Sequence, residues 1–118
     1  MYVAYIALAG VLTVMLALSA RMKLVRDQRA VDVIGGVVGV PLGAFPVLAM
    51  LEVAGGMGLL AGIWLKPLGI AAGVSLTTYF IVAIASHLRV RDLDAEHLFP
   101  GVLLLAMSVA ALALRLAA

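Results

Sequence analysis

The sequence predicts an all-α integral membrane protein built as an antiparallel four-helix bundle, and three observations support this fold class. Hydrophobic residues make up 66% of the 118 residues and charged residues only 12%, whereas soluble domains average about a quarter charged. Four apolar stretches are each long enough to cross a bilayer core of roughly 30 Å. Short connections separate them, as in an up-and-down bundle.

We predict a single domain over residues 1–118, with a short interfacial segment after the first span. Basic side chains end the first span, prolines open the second and the third, and a charged turn precedes the fourth. The spans cover about residues 3–20, 41–64, 67–88 and 98–116, and the interfacial segment about residues 27–40.

Basic residues predict the orientation of the bundle. Six of them follow the first and third spans, and two lie on the opposite side. The six are Arg21, Lys23, Arg26, Arg29, Arg89 and Arg91, and the two are Lys66 and Arg115. Because lysine and arginine are enriched on the cytoplasmic side, both termini are predicted to lie outside. The net charge is only +2, so these residues indicate topology and not a nucleic-acid partner.

Glu52 lies near the middle of the second predicted span. An ionised carboxylate at that depth costs about 2.5 kcal/mol or more, so it must be protonated, paired or turned towards a protein-lined cavity. Ser75, Thr78 and Tyr79 share one face of the third span at the same level. Two compatible interpretations stay open. Glu52 is protonated and hydrogen-bonded to Thr78 or Tyr79, which fixes the helix register, or this layer is a ligand or proton site.

Small residues predict where the helices approach each other closely. Spacing of four residues puts them on one side of a helix, which allows two backbones to come into contact. A homodimer through such a ridge is a further expectation. The positions are Ala54, Gly58 and Gly62 on the second span, and Gly69 and Gly73 on the third.

Several functions lack the residues that they need. The chain has no cysteine, which excludes thiol–disulfide chemistry and thiolate ligation of a metal. His87 and His97 bracket the charged turn, where interfacial anchoring is favoured over metal or haem binding because a dedicated site brings more ligands. With no nucleophile–base pair and no phosphate loop, we predict no catalytic residue and no metal site.

Three stretches together resemble the DoxX-like family of small four-span membrane proteins. They are GVP at residues 39–41, LEVAGGMGLLAG at residues 51–62 and AIASHLRVRD at residues 83–92. The resemblance covers nearly the whole chain and implies the same bundle, as a multi-pass protein of the bacterial plasma membrane. It also implies that Glu52 and His87 match family positions, without a catalytic assignment.

Members of that family include a subunit associated with quinone-linked sulfur oxidation and a chaperone for receptor assembly. We therefore predict a non-enzymatic accessory or binding protein that holds a small apolar ligand, a quinone or a lipid, next to Glu52, with Tyr79, Thr78, Ser75 and His87 in the same site. At most it is a membrane subunit of a quinone-linked oxidoreductase, with quinone as the cofactor. The alternatives are a proton-coupled transporter of small molecules and a membrane assembly factor without ligand. Expected partners are the bilayer, a second copy or a larger membrane protein.

Overall fold

The computed structural model describes residues 1–28 and 31–118, and all of its regular secondary structure within these residues is helical. The predicted all-α fold class is therefore confirmed. Two shorter elements, a π-helical segment Val31–Val37 and a 3-10 turn Leu42–Ala44, lie between the first and second long helices. The long helices are α1 Tyr2–Leu24, α2 Phe45–Ala61, α3 Lys66–Arg89 and α4 Ala95–Ala117.

Three of the long helices within the described residues have the length and hydropathy to cross a membrane. Helices α1, α3 and α4 contain 23, 24 and 23 residues, with mean hydropathy of 2.2, 2.0 and 2.1. Helix α2 is also apolar but has only 17 residues, which gives it a length of about 25 Å. Four membrane crossings, with both termini outside, remain a prediction.

The second helix starts later than the sequence suggested. The expected start was residue 41, but α2 begins at Phe45, after the turn Leu42–Ala44. Pro46 lies in the first turn of α2, where its missing N–H costs no hydrogen bond. The role expected of Pro41 is thus filled by Pro46.

Two other helix ends matter for the site. Helix α1 continues to Leu24, so Lys23 belongs to its last turn and not to the connection. Helix α4 begins at Ala95, three residues before the predicted span, because Asp94 caps it and accepts a hydrogen bond from the Glu96 amide at 2.8 Å. Such caps satisfy one of the unpaired amides at a helix start.

The interfacial segment predicted at residues 27–40 is described in part. Residues 29 and 30 lie outside the described residues, and with them the predicted topology residue Arg29. The chain is π-helical over Val31–Val37. Gly39 has a φ of +88°, a conformation that glycine adopts without the steric cost that a side chain would impose.

The four long helices alternate in direction around a closed ring. Each packs against the next along the chain, and α4 packs against α1. Tyr5 near the start of α1 donates a hydrogen bond to the carbonyl of Leu59 near the end of α2, at 2.7 Å. The buried core consists of Tyr5, Ala9, Leu12, Leu16, Leu59, Ala72, Leu76, Phe80, Leu104 and Ala111.

At one end of the bundle, glycines bring the helices into contact. A Cβ added to Gly62 would lie 2.3 Å from the Cα of Gly69, so the backbones of α2 and α3 touch. Arg115 of α4 is buried here, donates from Nε to the Gly62 carbonyl at 2.7 Å, and lies 5.6 Å from the centre of the Tyr5 ring. We call the region of Tyr5, Gly62, Gly69 and Arg115 the closed end.

Most of the remaining ridge positions also lie at contacts between helices of this chain. A Cβ added to Gly58 would lie 2.8 Å from the Cβ of Ala72 on α3, and one added to Gly73 would lie 2.9 Å from the Cβ of Leu112 on α4. Ala54 is exposed instead. The glycines of both ridges are therefore used within the chain, whereas the exposed Ala54 borders a cavity described below.

Candidate functional site

The carboxylate of Glu52 on α2 is completely buried and forms an ion pair. Its Oε1 atom lies 2.6 Å from Nζ of Lys23 on α1. The same oxygen accepts a hydrogen bond from the Tyr79 hydroxyl of α3 at 2.7 Å, and Lys23 also donates to Ser19 Oγ at 2.9 Å. Charge-assisted hydrogen bonds of this length are among the stronger ones in proteins. They tie α1, α2 and α3 together at one point.

Lys23 is the site residue that sequence reasoning assigned to another role. It counted as a topology signal at the end of the first span, yet only 7% of the residue is exposed and it contacts Glu52. Ser19 lies one turn earlier on the same face of α1. The available signal was Glu52 itself, because a carboxylate within a span needs a partner. The structure adds Lys23 as a partner of Glu52 that neither interpretation had named.

The structure brings Tyr79 to Glu52 but separates the other residues predicted for this site. The Thr78 hydroxyl donates to the Val74 carbonyl of its own helix at 2.9 Å. Thr78 and Ser75 are exposed on α3. His87 lies two turns beyond Tyr79, at the end of α3.

A large cavity connects these separated residues. It has a volume of about 1120 Å³, and its wall is mostly apolar, with residues from all four long helices and from the segment before α2. Glu52 borders it in the interior, and His87 borders it near the end of the bundle. We call this half of the molecule the open end. The polar residues of the wall are Ser19, Lys23, Glu52, Ser75, Thr78, Tyr79, Ser86, His87, Glu96 and His97.

A second polar cluster lies where α3 turns into α4. Asp92 in the turn accepts from both histidines: His87 Nδ1 lies 2.7 Å from Oδ2, and His97 Nδ1 lies 2.9 Å from Oδ2 and 3.0 Å from Oδ1. The hydrogen bond from His87 lowers the pKa of the Asp92 carboxyl, and the bond from His97 adds to this effect. Among residues 1–28 and 31–118, no group of three or more metal-binding side chains is placed to hold an ion.

The fold and the cavity define a class of protein. Three long apolar helices, a fourth short one and a mostly apolar cavity that is partly open to the outside describe a small helical membrane protein. The family model of the DoxX-like family matches residues 7–111, so the chain belongs to the DoxX-like family and the predicted membership is confirmed. Comparison with curated proteins and comparison with solved structures gave no match.

Proposed function

We propose that this protein is a non-enzymatic accessory or binding protein of the bacterial plasma membrane, which holds a small apolar ligand, a quinone or a lipid, in the cavity beside Glu52. The cavity is the observation that carries the proposal. Its volume of about 1120 Å³ slightly exceeds the usual range of ligand pockets, which measure roughly 300–1,000 Å³ and combine apolar walls with a few polar groups.

The ion pair supports a neutral ligand. Lys23 and Glu52 balance each other's charge at 2.6 Å. A charged ligand would add an unbalanced charge to a mostly apolar wall, which costs several kcal/mol by the usual order of magnitude. A cationic substrate of the kind taken by small multidrug exporters is therefore disfavoured.

Lys23 also offers a donor to such a ligand. An ammonium group has three N–H donors, and within the described residues Ser19 and Glu52 account for two of them. A carbonyl oxygen of a quinone or of a lipid ester is a suitable acceptor for the third. The Glu52 carboxylate holds the Lys23 ammonium group in place, and the Tyr79 hydroxyl in turn donates to that carboxylate.

We also propose that all four helices cross the membrane, with the open end towards the cytoplasm. Helix α2 has 17 residues, and spans of about that length are the short limit for a bilayer. The ends of α1 and α3 carry Arg21 and Arg89 at the open end, as expected on the cytoplasmic side. A ligand would then enter from the cytoplasmic half of the bilayer.

A cavity-filling variant tests the proposal. Ala83 borders the cavity, whereas Ala85 on the same helix is exposed and does not border it. We would titrate the protein in nanodiscs with decylubiquinone and with a monoacyl phospholipid, and compare the wild type with Ala83→Phe and Ala85→Phe. The wild type and Ala85→Phe should bind at least one probe, and Ala83→Phe should bind it about tenfold more weakly or less.

Two results would contradict ligand binding in the cavity. The first is equal affinity of all three proteins, and the second is no binding of either probe by the wild type. If, in addition, a stoichiometric membrane partner co-purified with Ala83→Phe as well as with the wild type, an assembly factor without ligand would become the better interpretation.

A further inference from the structure

The two histidines form a second polar site in the cavity wall, about two turns of α3 from Tyr79 towards the open end. We propose that the His87–His97 pair, positioned by Asp92, accepts a hydrogen bond through one of its Nε2 atoms from the hydroxyl group of an amphiphilic ligand whose apolar body fills the cavity. This inference rests on the proposed ligand-binding function and narrows it to ligands that carry a hydroxyl group. A reduced quinone and a hydroxylated lipid are the two sources of that chemistry.

Asp92 fixes which nitrogen of each ring carries the proton. A carboxylate only accepts hydrogen bonds, so Nδ1 of His87 and Nδ1 of His97 are both donors to it. In a neutral imidazole the other nitrogen, Nε2, then has a lone pair and accepts. Asp92 is thus a positioning residue, since it contacts the histidines and acts through them.

Both acceptor nitrogens are available to a ligand. The His87 side chain is 13% exposed and the His97 side chain 25%, and both residues border the cavity. In the described part of the chain, neither Nε2 atom has a hydrogen-bond partner, and both are accessible to a molecule the size of water. In the neutral form of each ring, Nε2 is an acceptor at the edge of an apolar space.

Each ring presents its own acceptor to a ligand. The ring centres are 6.5 Å apart, and both Nδ1 atoms approach the same Asp92 carboxylate. Nε2 lies across each ring from Nδ1, so both Nε2 atoms face away from that carboxylate. Either of them can accept the hydrogen bond from a hydroxyl head group.

The chemistry of the site separates hydroxyl ligands from carbonyl or ether ligands. A hydroxyl group donates to Nε2, whereas an ether or carbonyl oxygen would bring one acceptor against another. Glu96 also borders the cavity here, so an anionic head group would meet a carboxylate. A neutral head group with a hydroxyl donor avoids both the contact between two acceptors and the repulsion by Glu96.

Matched ligand pairs test the inference. The chain contains only two histidines, so ¹⁵N-histidine labelling gives four ring nitrogens to follow by NMR in nanodiscs. The probes would be 4-hexylphenol against 4-hexylanisole, which represent a quinol, and 1-decanol against its methyl ether, which represent a lipid alcohol. Within at least one pair, the hydroxyl compound should bind roughly three- to tenfold more tightly than its ether and should shift an Nε2 resonance. The pair with the larger preference shows whether the ligand is a quinol or a hydroxylated lipid.

Variants show which residues create the preference. The double variant His87→Ala/His97→Ala should bind hydroxyl compound and ether with equal affinity. Leu88→Ala is the matched control, since Leu88 is exposed at the same end of α3 and does not border the cavity, and it should keep the wild-type preference. Asp92→Asn should keep binding but change the protonation pattern of the ring nitrogens.

Each contrary outcome has its own meaning. If the ethers bind as tightly as the hydroxyl compounds, or if the phenol binds without moving the Nε2 resonances, the histidine site is wrong while the proposed cavity function stands. If none of the four probes binds and decylubiquinone and the monoacyl phospholipid do not bind either, the cavity function fails together with the inference.

Discussion

The two ends of the bundle bury charged residues in opposite ways. At the closed end, Gly62 and Gly69 let α2 and α3 touch, and Arg115 is satisfied by a backbone carbonyl and the faces of tyrosine rings. At the open end, Lys23 pairs with Oε1 of Glu52 beside a cavity of about 1120 Å³, while the buried Oε2 atom has no hydrogen-bond partner among the described residues. One end is sealed by packing, and the other retains internal space.

Residue size at the helix contacts explains part of this difference. A Cβ added to Gly62 would lie 2.3 Å from backbone, whereas one added to Gly101 on α4 would meet only the Ile84 side chain, at 3.4 Å. Close approach of glycines increases van der Waals contact between helices in a bilayer. Where it is absent, as at the open end, the side chains leave a space that a ligand can occupy. Ligand binding is therefore expected to depend on the open end, whereas both ends contribute to stability.

The largest expected effect is at the open end. Lys23→Met leaves the Glu52 carboxylate buried without its cation and should lower the free energy of unfolding by about 3–5 kcal/mol. The double variant Lys23→Met/Glu52→Leu removes both charges and should recover most of this loss. Lys66→Met is the control, because Lys66 is exposed at the other end. Reversible unfolding in mixed detergent measures all three, and equal losses in the single and double variants would contradict the buried ion pair.

The next effect tests the closed end. Gly62→Ala places a methyl group against the backbone of Gly69 and should cost about 1–3 kcal/mol of unfolding free energy through overpacking. Gly10→Ala is the matched control, since a Cβ there meets nothing within 4 Å, and it should not destabilise the protein. Ligand affinity in the cavity should be unchanged by Gly62→Ala where the protein folds. A tolerated Gly62→Ala with unchanged stability would show that the helices do not touch there.

A smaller effect concerns the hydroxyl beside Glu52. Tyr79→Phe removes one hydrogen bond to a charged group and should cost about 1.5 kcal/mol. Thr78→Val, on the neighbouring position, should change stability by less than about 0.5 kcal/mol, because the Thr78 hydroxyl bonds within its own helix. The same unfolding assay compares them. A larger loss for Thr78→Val than for Tyr79→Phe would reverse the assignment.

Some of the residues in these variants were predicted from the sequence alone, and others were not. Hydropathy predicted the helices because bilayer thickness dictates span length, and helical periodicity placed Tyr79 on the same face as the hydroxyls expected near Glu52. The pairing of Lys23 with Glu52 was not predicted, because a basic residue at the end of a span is already explained by membrane topology. The contacts of Asp92 with the two histidines were not predicted because they depend on the conformation of a short turn. The start of α2 was ambiguous because Pro41 and Pro46 both suit the first turn of a helix.

The smallest expected effect is the pH dependence of the turn between α3 and α4. Folding lowers the pKa of Asp92, mainly through the hydrogen bond from His87. Its contribution to stability is therefore present above the unfolded pKa of about 3.9 and is lost as the pH falls through the lower folded value. Asp92→Asn should be less stable than the wild type at pH 7. The difference should begin to shrink near pH 4 and vanish below the folded pKa of Asp92. A difference that is constant from pH 7 to pH 3 would exclude this role of the carboxylate.

The central claim is that the open end holds a ligand and the closed end does not. An experimental structure of the protein in lipid nanodiscs tests it most directly. We expect non-protein density in the cavity, between the Lys23–Glu52 pair and the histidines, and continuous side-chain packing around Gly62. A bundle in which side chains fill the cavity, or in which Glu52 faces the acyl chains, would contradict the account.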